Sequence, residues 1–335
     1  MRKFIAICLI ILLMPALCAC AAAPVQDAGN GKLRIAATVF PAYDFARQIA
    51  GERAEVTLLV PPGSESHSYE PTPQDMLLLK DCALLVANGG ESEAWLDSVA
   101  DGLDGNVPIL LMLDCVTALE EETREGMQSG GILSRAHGDD SHSHAGHGHD
   151  EHDKHDEHEE EFDEHVWTSP ANAVDICRAI CARLCAVDPA GADYYRGNFR
   201  DYSAKLSALD AEFRAAVDAA PRRTLIFADR FPVRYFVEEY GLDYYAAFPG
   251  CADDAEPSAR TVAFLIDKVR TEGVRAVFYI EFSNEKMADI ICEETGCEKL
   301  LFHSCHNVSA DELRAGVGYL DLMEQNLANI KEALG

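Results

Sequence analysis

Histidine is concentrated in one internal stretch, Ala136 to Pro170, of a 335-residue chain. His137, His142, His144, His147, His149, His152, His155 and His158 lie there among Gly, Ser, Asp and Glu. The stretch then ends in Phe162-Asp163-Glu164-His165-Val166-Trp167. Imidazole is the commonest side-chain ligand of late transition metals, and a His-rich tract reads as metal-binding by composition. With almost nothing apolar to bury, residues 136–162 are expected to be a disordered loop. A cloned tag would be terminal and uniform, whereas this run is internal, mixed and followed by Val-Trp. The chemistry to expect is capture of a divalent cation.

Outside residues 136–162 only His67, His165, His303 and His306 remain. Each follows an expected strand or sits in a loop, which is where α/β sheets present ligands. The formal net charge of −29 argues against nucleic acid and suits a protein that concentrates cations. There is no His-Glu-x-x-His and no Gly-x-Ser-x-Gly. A zinc hydrolase held by His67, His165 and His303 with Glu281 as base therefore stands only as a competing reading. A surface zinc buffer or adhesin is a third.

The N-terminus reads as a targeting segment. Met1-Arg2-Lys3 is basic, and Phe4 to Leu17 is an apolar run too short to span a bilayer comfortably. Leu17-Cys18-Ala19-Cys20 resembles a bacterial lipobox. Residues 1–20 are thus expected to be a lipoprotein signal peptide, with lipid on Cys20 anchoring the chain to the outer face of the cytoplasmic membrane. Residues 21–32 read as a tether. Nine cysteines follow Cys20, an odd number that cannot all pair within one chain, and none forms Cys-x-x-Cys. Cys177, Cys181 and Cys185 share a helix face, as a thiolate cluster or, the reading favoured here, as small buried hydrophobes. So many unpaired thiols point to a low-oxygen habitat.

The elements that must position the histidines alternate between strand and helix. Strands are expected at Leu33–Val39, Glu55–Val60, Cys82–Ala87 and Val107–Leu113, with helices opening at Pro41, at Thr72-Pro73 and near Glu93. Such alternation implies a parallel sheet covered on both faces. Residues 33–187 form this N-terminal α/β domain. From Tyr195 to Val217 apolar residues recur at spacings of four and three. Residues 188–220 therefore read as one rigid linking helix, with a coiled-coil dimer as competitor and a monomer as the expected state. Residues 221–335 repeat the alternation as a second α/β domain, closed by a C-terminal helix opened by the Ser309…Glu312 capping box. The fold class is two doubly wound α/β domains joined by a long helix, with the metal site at their interface.

Two segments carry a family resemblance. Pro62-Gly63-Ser64-Glu65-Ser66-His67-Ser68-Tyr69-Glu70-Pro71 and His165-Val166-Trp167-Thr168-Ser169-Pro170 resemble the first two ligand motifs of the zinc/manganese solute-binding lipoproteins of ABC importers, the ZnuA/TroA-like family. Gly89-Gly90-Glu91-Ser92-Glu93-Ala94-Trp95-Leu96 and Val277-Phe278-Tyr279-Ile280-Glu281 are similar as well. The resemblance runs from Leu33 to the C-terminal helix. It implies one metal held between two domains, with His67 and His165 as ligands, and delivery to an ABC permease and its ATPase. The second half departs from the family pattern. Arg230 stands where the third ligand is usual, and Phe302-His303-Ser304-Cys305-His306-Asn307 replaces the final Asp. An arginine stays protonated and cannot bind a cation. The expectation is that His303 takes over from that Asp, that Asp229 or Glu281 supplies an oxygen, and that His306 is the alternate to His303. Arg230 is expected to pair with Glu281. Three imidazoles and one carboxylate suit tetrahedral Zn(II) better than Mn(II), so zinc is the expected cargo and a manganese carrier the alternative.

Overall fold

The computed structural model describes residues 31–64, 69–128, 162–250 and 257–335. The expected signal peptide with Cys20, His67, the eight histidines of the tract and Cys251 fall outside the described residues. In the first lobe, β1 (Leu33–Ala37), β2 (Ala54–Leu58), β3 (Leu84–Ala87) and β4 (Ile109–Leu111) make a parallel sheet in the order β2-β1-β3-β4. The second lobe repeats that order: β5 (Thr224–Phe231), β6 (Asp243–Pro249), β7 (Ala276–Tyr279) and β8 (Glu298–Leu301) run β6-β5-β7-β8. Parallel strands need crossover helices. Here these include α1 (Phe40–Ala50), α2 (Pro73–Lys80) and α3 (Leu96–Gly102) in the first lobe. Two parallel sheets of one topology leave their strand C-termini, and the loops that follow them, as the natural ligand crevice.

Local chemistry accounts for where helices begin. Thr72 caps α2 with its hydroxyl on the Asp75 amide, and the Asp75 carboxylate returns the bond to the Thr72 N–H at 2.8 Å. The expected helix near Glu93 starts later, at Leu96. Gly89 and Gly90 hold positive φ, and the Glu93 carboxylate turns back to accept the Gly89 N–H at 2.8 Å. That leaves Glu91–Glu93 as a single 3₁₀ turn ahead of α3.

The helix α4 (Pro170–Val187) carries Cys177 and Cys181 into the core, where burial pushes the Cys177 thiol well above its ordinary range. These two are buried hydrophobes. Beside it runs α5 (Ala192–Ala219), whose 28 residues span ~42 Å. Its stripe of Tyr195, Tyr202, Leu206, Leu209, Phe213 and Val217 is buried within this chain. The stripe is therefore already covered and is not a coiled-coil seam.

The second lobe adds α6 (Arg234–Tyr240), α7 (Ala259–Glu272) and α8 (Lys286–Thr295). The expected single C-terminal helix is two. Ser309 and Glu312 form their reciprocal cap, but α9 (Ala310–Ala315) stops at Gly316, at φ +77°, and α10 (Tyr319–Leu334) restarts after Gly318. One continuous apolar cluster runs from Ile35 and Phe45 through Phe213 to Phe302 and Tyr319. The lobes thus share a core along the spine. Asp44 of α1, fully buried, accepts the Tyr319 N–H at 2.9 Å and pins α10 to the first lobe.

Candidate metal centre

His165 lies where the chain re-enters the described structure. Phe162 bridges to Glu120, and the Asp163 N–H bonds Leu119 O at 2.9 Å. The turn is tied across the junction by Tyr235 of the second lobe, whose hydroxyl donates to Asp163 O at 2.8 Å. Asp163 Oδ1 then accepts the His165 N–H at 2.9 Å and faces its Nδ1 at 3.2 Å. With Nδ1–H donating to the carboxylate, Nε2 is the acceptor nitrogen, the one able to bind a cation. Burial and the Arg230 charge disfavour the His165 imidazolium. Asp163 and Glu164 outweigh them, so the group sits above its ordinary 6.5.

Glu164 is itself buried and held. Its Oε1 accepts the Ser92 N–H at 2.9 Å, its Oε2 takes the Ser92 hydroxyl, and its backbone oxygen accepts from Asn88 Nδ2 at 3.0 Å. The loop after β3 therefore clamps the residue next to His165. Gly90 is needed for this: at φ +92°, a Cβ there would lie 2.4 Å from Glu164 Oε1.

The loop after β8 brings the second imidazole. The His306 ring centroid is 5.3 Å from that of His165, at 88°, and 5.1 Å from that of Trp167. Trp167 fixes the pairing by donating its indole N–H to Ser304 O at 2.8 Å. The same loop holds the approach to His67. Asn307 Nδ2 donates to Pro61 O at 2.9 Å and Ser64 O at 2.8 Å, and the Gly63 N–H bonds Val308 O at 2.8 Å. His165 and His306 thus meet between the lobes, on a loop stitched to the segment that leads into His67.

His303 has different company. Its backbone is bracketed by Asn326, with both bonds at 2.8 Å, and its Nδ1 accepts the Cys305 N–H at 3.0 Å. A neutral imidazole accepting at Nδ1 carries its proton on Nε2, which is then not a metal donor. Cys305 reaches this position with φ +63°. The Glu281 side chain binds within the loop after β8. Its carboxylate takes the Ser304 N–H at 2.7 Å and hydroxyl at 2.5 Å, and lies 3.8 Å from His303 Nδ1.

Asp229 accepts the N–H groups of Arg230 at 2.8 Å and Ile280 at 3.3 Å, and burial raises its carboxyl above 3.8. It lines a cavity of about 830 Å³ with Arg230, Phe282 and Ser283. Among the described residues no three His, Cys, Asp or Glu side chains form a group able to hold an ion. Sequence reasoning passed over Asp163, Glu164 and Asn307 as positioning residues. The one available signal was a carboxylate two residues before His165.

Two parallel α/β lobes on one spine, with imidazoles facing each other at the junction, define a solute-binding protein of the metal type. A family model described as "Zinc-uptake complex component A periplasmic" matches residues 35–333, and the chain belongs to that family of zinc-uptake binding components. The high-affinity zinc uptake system protein ZnuA of Bacillus subtilis is 30% identical over 312 residues, covering 92% of this chain and 89% of the relative. The zinc-binding lipoprotein AdcA of Streptococcus pneumoniae is 28% identical and covers 96% of this chain, which spans only 60% of that relative's length. The crystal structure of the Zn(II)-bound ZnuA-like domain of AdcA superposes with a TM-score of 0.70 at 25% identity, covering 91% of this chain and 99% of that domain. The metal-dependent lipoprotein YcdH of Bacillus subtilis gives 0.71 at 27% identity, covering 90% and 99%. Members of this family bind zinc for uptake and are not enzymes.

Proposed function

We propose that the chain captures Zn(II) as cargo between its lobes and hands it to the permease of an ABC importer, while lipid on Cys20 keeps it at the membrane. The observation that carries the reading is the approach of His306 to His165 across the junction, at 5.3 Å between ring centroids. In this account His67, His165 and His306 are the imidazole ligands. His303 and Asp229, the expected partners, hold up the second lobe through the bonds already described. Glu281 sets the loop by binding Ser304. Three imidazoles leave a fourth tetrahedral position for water or one oxygen, a ligand set suited to Zn(II).

The histidines from His137 to His158 act as a separate, weaker collecting tract. Ligands that must be ordered on binding give low affinity per site. The test is zinc competition and stoichiometry of the chain without residues 1–20, with and without residues 136–161. One tight zinc in both forms, with extra weak equivalents only in the longer one, is the expected result. Loss of tight binding with the tract, or preference for manganese in the trimmed form, would overturn the reading.

A further inference from the structure

The last turn of α8 carries a feature unrelated to the metal centre. Gly296, at φ +77°, ends the helix and donates its N–H to Cys292 O at 2.8 Å. Such left-handed caps bring the residue after the glycine against the last turn of the helix, usually as an apolar contact. Here the two residues that meet are Cys292 and Cys297, with their sulfurs 3.3 Å apart. Both thiols are half-buried against the second lobe's own apolar cluster. Thr295 braces the turn, its hydroxyl accepting the Cys297 N–H at 3.3 Å while donating to Ile291 O at 2.7 Å. A surface pocket of about 590 Å³, lined by Thr295, Gly296, Cys297 and Glu298, gives a small oxidant access.

We infer that Cys292 and Cys297 form a disulfide that staples the end of α8 to β8, the strand leading into the His303–His306 loop. The sulfurs must close from 3.3 Å to about 2.05 Å. The neighbouring pair Cys181 and Cys185 does not qualify. One helical turn keeps Cβ atoms about 5–6 Å apart, beyond the roughly 3.5–4.5 Å that a disulfide needs. Oxidation proceeds by thiol–disulfide exchange with a disulfide oxidant, for which oxidised glutathione serves as probe. One thiolate attacks a glutathione sulfur, breaking its S–S bond and releasing one reduced glutathione. The second thiolate then attacks the mixed disulfide, forming the Cys292–Cys297 bond and releasing another. The two thiol protons end on the two glutathione molecules. Burial and the bond to Cys297 push the Cys292 thiol up to about 12, so the exchange is slow at neutral pH.

The chain lacking residues 1–20 is incubated with oxidised glutathione at about pH 8.5, blocked with an alkylating agent, and cut after glutamate. Glu293 and Glu294 lie between the two cysteines, so cleavage leaves their fragments joined only if the disulfide exists. The expected result is a linked Cys292–Cys297 fragment that separates on reduction, and a melting temperature ~5 °C higher in the oxidised form. That rise should be absent from the C292S/C297S double variant. Alkylated thiols, separate glutathione adducts, or linkage of either cysteine to a third would overturn the inference. The fragment map decides it even if the double variant fails to fold, and neither outcome depends on whether His306 binds zinc.

Discussion

Replacing Glu93 with Gln should flatten part of the dependence of stability on pH. Glu93 is only 5% exposed and sits under the Gly89-Gly90 turn, next to the equally buried Glu164. Burial first, and then the Glu164 charge, push its carboxyl up to about 7 from 4.5. The folded chain therefore holds this proton to higher pH than the unfolded chain does. The stabilisation is complete below about pH 4.5 and is lost as pH rises through about 7. Between pH 5 and pH 8 the loss is about 2.5 kcal/mol, from a full shift of ~3.4 kcal/mol. Glutamine keeps an oxygen for the Gly89 N–H and carries no charge. Urea unfolding of wild type and E93Q at the two pH values measures the double difference directly. E93Q should gain about 2.5 kcal/mol on wild type in going from pH 5 to pH 8. Parallel pH profiles would refute the reasoning, since they would mean that Glu93 is as well solvated folded as unfolded.

Other expectations follow from the same loops. Asp163→Asn weakens the hold on the His165 tautomer and should lower zinc affinity about 10–100-fold without changing the fold, as read by metal competition beside circular dichroism; unchanged affinity would remove Asp163 from the site. Gly90→Ala places a Cβ on the Glu164 carboxylate at a φ of +92° and should cost more than ~2 kcal/mol in urea unfolding. A cost near zero would show that the turn re-forms without a left-handed residue. Phe213→Ala removes a fully buried ring from the spine and should cost about 3–5 kcal/mol. Two separate transitions in the Phe213→Ala unfolding curve would show that the shared core, rather than either lobe alone, makes the lobes unfold together.

What was legible in the sequence was local. The Thr72 and Ser309 caps, the α5 stripe and the strand–helix alternation depend on neighbours within a few residues, and each appears where its pattern placed it. His165 was legible too, because Asp163, Val166 and Trp167 travel with it. The choice of His306 over His303 proposed above was not. It turns on a positive φ at Cys305, on a backbone amide aimed at His303 Nδ1, and on Trp167 reaching Ser304 from another lobe. None of these leaves a mark in the spacing of the residues. Nor did opposite charge between Arg230 and Glu281 reveal that Ser304, adjacent to His303, holds that carboxylate through backbone and hydroxyl together. The stop at Gly316 was written in the sequence as Gly316-Val317-Gly318, yet a capping box read alone does not say how long its helix runs.

The central claim, that His306 rather than His303 completes the imidazole set with His165, is tested most directly by zinc competition on two single variants of the otherwise intact chain. The account predicts that His306→Ala loses more affinity than the ~10–100-fold typical of an outer-shell partner. His303→Ala should keep zinc affinity near wild type while losing stability, because its ring Nδ1 accepts the Cys305 N–H. Zinc binding abolished by His303→Ala and untouched by His306→Ala, in two folded proteins, would contradict it.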